Sequence, residues 1–273
     1  RKNVIEAVND IDWKNKSLSI RVNSFNTNLI KYDIEEILKF TSHKLDLLMI
    51  PKVNTAKDIS DLDNIVTRYE KKFKRKKKIG FEIIIETGLG LINIEEISLA
   101  SNRNESLHFG AADFATSIGA KTTSIGGIHQ NYGVLEEKNT KKRNFFLNDM
   151  WHFALFKIVL TAHSYGLRAV DCPYGNFKDK IGFESLAKSS YTMGFDGKML
   201  IHPDQVDLAN TIYSPSMEEV TEAKEILLRM DLAKKQGKGA VAFKGKLLDI
   251  VSIKQAQNIV EIEKKIKKGK KKK

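Results

Sequence analysis

Short apolar runs recur along the chain, and helical periodicity follows many of them. The runs are "LSIRV" (18–22), "LDLLMIP" (45–51), "GFEIIIE" (80–86), "SLHFGAAD" (106–113), "LRAVD" (167–171) and "GKMLIHP" (197–203). The three isoleucines of 83–85 do not alternate with polar residues, so they read as a strand buried on both faces. Ile59, Leu62, Ile65, Val66 and Tyr69 share one helical face; Trp151, Leu155, Ile158, Val159 and Ala162 share another. Strands alternating with helices predict an α/β fold, a parallel sheet covered by helices. Six strands are countable. The chain opens in a helix-like segment, "RKNVIEAVND", with no methionine before it. A (β/α)8 TIM barrel needs eight strands. The pattern therefore fits a barrel missing its first one to two strands through loss of the N-terminus, or a complete six-stranded open sheet. Periodicity does not separate the two.

The spacing is uneven. From Asp113 to about Asn148 the chain is polar, with "SIGGIHQNYG" in the middle. A loop this long is usually functional or disordered. After residue 214 the style changes. Ser216 and Glu219 are spaced as a capping box, and Val220, Ala223, Leu227 and Met230 form the apolar side of the helix they start. "GKGAVAFKGKLLD" reads as two short strands around Lys244-Gly245, and a last helix carries Ile253, Ile259, Val260 and Ile266. The division is a barrel over 1–214 and a small C-terminal appendage over 215–273.

A net charge of +12 invites a nucleic-acid reading. The charge is concentrated, however. "KKFKRKKK" (71–78) and "KKIKKGKKKK" (264–273) hold fifteen of the 46 basic residues, which leaves 31 against 34 acidic ones. No aromatic residues alternate with the basic ones as a stacking platform requires. Both runs read as solvated surface, with a nucleic-acid or anionic-surface binder as the competing non-enzyme reading. No run of about 18 apolar residues exists, so no membrane helix is expected. The charged start lacks the apolar core of a secretion signal. The single Cys172 excludes an internal disulfide and fits a reducing, cytoplasmic location.

Polar residues close several strands: Arg21, Lys52, Glu86, Asp113, Asp171 and His202. Parallel α/β folds bind ligands at the carboxyl ends of their strands. Glu86 and Asp113 lie on consecutive strands and could converge. Two carboxylates with waters and a bidentate substrate suit Mg²⁺. An acid/base pair, or two acids that cap helices or pair with Lys52 and Arg21, fits the spacing as well. Arg21 could hold a substrate carboxylate through two parallel hydrogen bonds or close an internal salt bridge. His202 before Pro203 is a ligand or a structural histidine, and the other histidines have no metal-ligand spacing.

Taken together these residues resemble the HpcH/HpaI aldolase and citrate lyase β-subunit superfamily, within it the malyl-CoA lyases. The matching pieces are "SIRVN", "LLMIPKV", "IIIETGLGLINIEEIS", "LHFGAADFATSIGA", "SIGGIHQNYGVL", "RAVDCPYGNFKD", "GFDGKMLIHPDQVDLANTIYSPS" and "KLLDIVSIKQA", in order across almost the whole chain. The resemblance implies a TIM barrel with a C-terminal helical lid, and Mg²⁺, with Mn²⁺ as a substitute, on Glu86 and Asp113. It implies that Arg21 grips a glyoxylate carboxylate. Asp249 would be the acid/base, reaching into a neighbouring subunit of a homo-oligomer, a trimer or hexamer. The implied reaction is reversible cleavage of malyl-CoA to acetyl-CoA and glyoxylate, with β-methylmalyl-CoA as a second substrate. Citryl-CoA lyase and malyl-CoA thioesterase activities are the alternatives on the same fold. Burial under a closing lid would raise the pKa of Asp249 and exclude water. The family's opening strand–helix–strand, with its acidic "DLED"-like motif and part of its CoA-phosphate contacts, has no counterpart here. An exposed barrel seam is the expectation.

Overall fold

Each of the six apolar runs contributes a strand to one sheet. In chain order the strands are β1 (Leu18–Arg21), β2 (Leu45–Ile50), β3 (Gly80–Ile85) and β4 (Asn104–Phe109), then β5 (Gly133–Leu135) and β6 (Phe145–Leu147) outside the sheet, then β7 (Arg168–Asp171) and β8 (Gly197–Lys198). The sheet order is β1-β2-β3-β4-β7-β8, with every neighbouring pair parallel. Parallel neighbours need crossovers. Helices Ile30–Phe40, Ala56–Lys72, Gly88–Ile92 with Ile94–Leu99, His152–Ser164 and Lys180–Met193 supply them. The result is an open six-stranded portion of a (β/α)8 barrel, with β1 and β8 at its edges among the described residues. The computed structural model describes every residue except 26, 123, 138–141, 238, 272 and 273. It divides into two units, Arg1–Ala209 and Asn210–Lys273.

Register separates the two faces of the sheet. Ile50, Ile83, Leu107 and Ala169 lie side by side on β2, β3, β4 and β7, and all are fully buried beneath the helices. The alternate row is Arg21, Met49, Glu82, Ser106 and Arg168. A further row pairs Ile84 with His108 and His108 with Val170. One face is thus a dry apolar layer. The other carries the polar groups, and it leads to the site.

Three expectations change. The run 197–203 contributes only Gly197 and Lys198 to the sheet, because Pro203, which has no N–H, opens a 3-10 turn over Pro203–Gln205. The polar stretch 113–148 holds part of helix Ala111–Ser117 and the antiparallel β5–β6 hairpin; residues 123 and 138–141 fall outside the described set. The first basic run is also not wholly solvated surface. Arg75 donates to the carbonyls of Thr41 (3.0 Å) and Ser42 (3.1 Å), Lys72 pairs with Glu35, and Lys77 pairs with Asp46. These contacts fasten the end of helix Ala56–Lys72 to neighbouring elements.

The second unit is a helical hairpin with a small ribbon. Helix Met217–Lys235 starts at the capping box of Ser216 and Glu219. Strands β9 (Val241–Phe243) and β10 (Lys246–Leu248) join through Lys244 and Gly245, both at positive φ (47° and 74°), as a two-residue hairpin turn demands. Helix Ile250–Lys271 packs Ala256 and Val260 against Ala223, while Met230, Phe243 and Leu248 form a second cluster. Much of the lysine-rich tail prolongs this helix, where Lys265 pairs with Glu261 one turn back.

Candidate active site

Glu86 follows β3 directly and continues the series Glu82, Ile84 on the polar face. The next residue, Thr87, caps helix Gly88–Ile92 by accepting from Gly90 N, so the chain turns at once. The carboxyl group is buried, at 6% exposure. Its Oε1 accepts from Lys52 N at 2.8 Å. Lys52 presents that N–H from a left-handed backbone, φ +55°, a conformation that L side chains other than Asn and Asp seldom take. Gly110 stands beside the acid. A Cβ there would lie 2.5 Å from Glu86 Cβ and 2.6 Å from Oε2. Gly110→Ala should therefore displace Glu86, costing about 1–3 kcal/mol of stability and weakening Mg²⁺ binding at least tenfold in calorimetric titration.

Asp113 is not at the end of a strand. β4 stops at Phe109, Gly110 precedes a new helix, and Asp113 sits in the first turn of Ala111–Ser117, where a negative charge is favoured. The fold still brings Arg21, Glu86 and Asp113 into one cavity of about 560 Å³, which Met49, Ile84 and Gly110 also line. Lys52 Nζ reaches Asp113 Oδ1 at 3.1 Å. One lysine thus holds both acids, Glu86 through its backbone and Asp113 through its ammonium. Lys52→Gly keeps the N–H, suits the positive φ and deletes the ammonium. Its melting temperature should equal or exceed that of the wild type, while divalent-ion binding tightens several-fold because the competing cation is gone.

The electrostatics point the same way. Burial, then the nearby charge of Asp113, pushes the Glu86 carboxyl up to about 7; the N–H and ammonium of Lys52 and the guanidinium of Arg21 oppose that rise. Two acids that disfavour each other's ionisation in a half-dry pocket fit a divalent cation, which relieves the repulsion. The donors are all oxygen, as Mg²⁺ requires. No cluster of three or more His, Cys, Asp or Glu suited to a metal occurs among the described residues. Protein ligation would thus stop at two carboxylates and leave positions for substrate and water.

Other strand-end residues play structural parts. Asp171 and Lys198 form a buried ion pair across β7 and β8, with side chains 5% and 2% exposed. His202 stacks on Phe177 at 4.4 Å between ring centroids and accepts from Asp204 N, so it caps the 3-10 turn. Cys172 is buried, and its thiol is pushed far up by that burial. His108, paired with Ile84 on the polar face, bonds Ser106 Oγ at 2.9 Å; burial lowers its pKa to about 4, so it is neutral near pH 7. Asp249 belongs to the second unit. Its Oδ1 accepts from Val251 N (2.9 Å) and Ser252 N (3.1 Å), which caps the last helix. The carboxyl is exposed and held below the usual range by the Ser252 N–H first, opposite to the rise expected under a lid. Sequence reasoning did not find Gly110 as a site residue. Its signal was a glycine between a strand and a helix with an acid on the neighbouring strand.

The profile of the HpcH/HpaI aldolase/citrate lyase family matches residues 1–203. The chain belongs to this family. An L-malyl-CoA/β-methylmalyl-CoA lyase of Cereibacter sphaeroides is 44% identical over 260 residues, covering 95% of this chain and 80% of that protein. A citrate lyase structure from Burkholderia xenovorans superposes with a TM-score of 0.76 at 17% identity, over 94% of this chain and 76% of the other. CitE of Mycobacterium tuberculosis, in complex with magnesium, acetoacetate and coenzyme A, gives 0.65 at 22% identity, over 89% and 77%. These structures share the barrel fold of this family member. Among the described residues, no helix is long and apolar enough to cross a membrane.

Proposed function

We propose that this member of the family is a carbon–carbon lyase that reversibly cleaves malyl-CoA to acetyl-CoA and glyoxylate, and β-methylmalyl-CoA to propionyl-CoA and glyoxylate. The observation that carries the reading is the Glu86–Asp113 pair at the barrel mouth, with Arg21 in the same cavity. The name of the Cereibacter relative supports the substrate, and the CitE complex supports Mg²⁺ as the ion, with Mn²⁺ as a substitute.

Glu86 and Asp113 would hold the Mg²⁺, which when bound supplies Lewis-acid stabilisation of charge on oxygen. Arg21 fixes the carboxylate of the glyoxylate half through its planar fork of donors. Carbon–carbon scission leaves the hydroxyl-bearing carbon as the glyoxylate aldehyde and the other half as a thioester enolate. That enolate takes a proton on carbon, and Asp249 is the acid that supplies it, acting in the site of a neighbouring subunit in a trimer or hexamer. In condensation Asp249 removes the same proton as base. The C-terminal unit serves as the lid that excludes water. The cavity's apolar lining, Met49, Ile84 and Ile125, suits an acyl chain between charged ends.

The test is product analysis. The purified protein with malyl-CoA and Mg²⁺ should release glyoxylate and acetyl-CoA in equal amounts. Free malate would mark a thioesterase. Oxaloacetate from citryl-CoA, with malyl-CoA untouched, would mark a citryl-CoA lyase.

A further inference from the structure

Beside the Glu86–Asp113 cavity the barrel unit holds a second one, of about 720 Å³, within the range of ligand sites. Ile125 lines both, and Pro173 of the first is followed in sequence by Tyr174 of the second. The walls are fixed by hydrogen bonds. Gly175 N donates to Ile125 O at 2.9 Å, and buried Gln205 donates to Tyr174 O at 3.0 Å. The Tyr174 hydroxyl donates to Asp179 at 2.8 Å, and the other Asp179 oxygen accepts from Gly182 N at 2.9 Å. Gly126 and Gly127 have φ of +70° and +86°, and a Cβ on Gly126 would sit 2.5 Å from Pro173 O. Glycine is required there, and it leaves a stretch of bare backbone along one wall.

The lining contains no charged side chain. Gln130, Asn176 and Ser185 offer hydrogen bonds, and Ile125 and Leu186 offer apolar contact. Such a wall suits neither a phosphate nor a carboxylate, which call for cations or charged donors. It suits an uncharged, flexible arm that carries amides, a hydroxyl and methyl groups.

We propose that this cavity holds the pantetheine arm of the CoA thioester. The acyl group then lies between Glu86 and Asp113, the arm runs past Ile125, and the nucleotide end stays outside. The assignment rests on the acyl-CoA reading above.

Ser185 is exposed on helix Lys180–Met193, so Ser185→Trp narrows the cavity without entering the core. Asn176→Trp narrows it from the opposite wall. Each should raise KM tenfold or more for malyl-CoA and for the truncated substrate malyl-pantetheine alike. KM for glyoxylate in condensation should stay within twofold. Calorimetry with pantetheine alone reads binding without turnover; the wild type should bind it, and both variants at least tenfold more weakly. Equal pantetheine binding in wild type and variants overturns the assignment. So does a KM increase confined to malyl-CoA, which would put the nucleotide in this cavity. A wild type that binds pantetheine yet leaves malyl-CoA intact sinks the lyase reading and keeps the pocket.

Discussion

In Glu86→Gln protein, Mg²⁺-dependent release of glyoxylate from malyl-CoA falls roughly a thousandfold or more, while the metal-free protein becomes harder to melt. The first effect is the loss of an anionic ligand whose ion contributes several kcal/mol to the transition state. The second follows from linkage. The folded carboxyl titrates near 7, above its ordinary 4.5, so the folded state holds this proton more tightly than the unfolded chain does. Stability from the proton is complete below about pH 4.5 and is lost as pH rises through about 7. Glutamine mimics the protonated acid at every pH. Glu86→Gln should therefore gain about 1–2 kcal/mol over the wild type at pH 8, less than the whole shift because solvent at the pocket mouth screens the charge, and nothing at pH 4. Calorimetric melting of both proteins in chelator across that range checks it. A wild type whose melting temperature follows the mutant's at both ends would mean that Glu86 carries no such burden. Persistent metal-dependent turnover in the mutant would remove it from the site.

Asp249→Asn should cut kcat by a factor of about 100 to 10,000, the usual range for a missing general acid, with KM for malyl-CoA changed little. Asparagine is as good a helix cap as aspartate, so the bonds from Val251 and Ser252 N–H survive and the melting temperature holds. Asp249→Ala loses both roles and should melt lower as well. If the acid acts in a neighbouring subunit, Glu86→Gln and Asp249→Asn chains, each inactive, should regain partial activity when co-expressed, because mixed oligomers contain sites with both wild-type groups. Action within one chain predicts no recovery. Normal turnover by Asp249→Asn would take it out of the mechanism altogether.

The parallel sheet was legible because its strands are buried on the helix-facing side, and rows such as Ile50, Ile83 and Leu107 leave continuous apolar runs. Glu86 was legible for a related reason, as a carboxylate set against three isoleucines. Asp113 was placed on the wrong element. "FGAAD" contains only small residues after its phenylalanine, and these serve a strand end or a helix start equally well, so periodicity ran through the boundary at Gly110. The β5–β6 hairpin went unseen because Val134, Leu135, Phe145, Phe146 and Leu147 are all exposed, and without a buried face a strand leaves no alternation. The Asp171–Lys198 pair depends on strands 27 residues apart meeting at one register, which local pattern does not encode.

Lys52 is in effect a tethered monovalent counter-ion. Loading the acid pair with a divalent cation is then an exchange: one ammonium leaves Asp113 as the ion arrives, while the amide anchored on Glu86 stays in place. The freed side chain carries its positive charge to the rim at the moment a substrate anion needs it, so ion and anion would enter as cooperating guests.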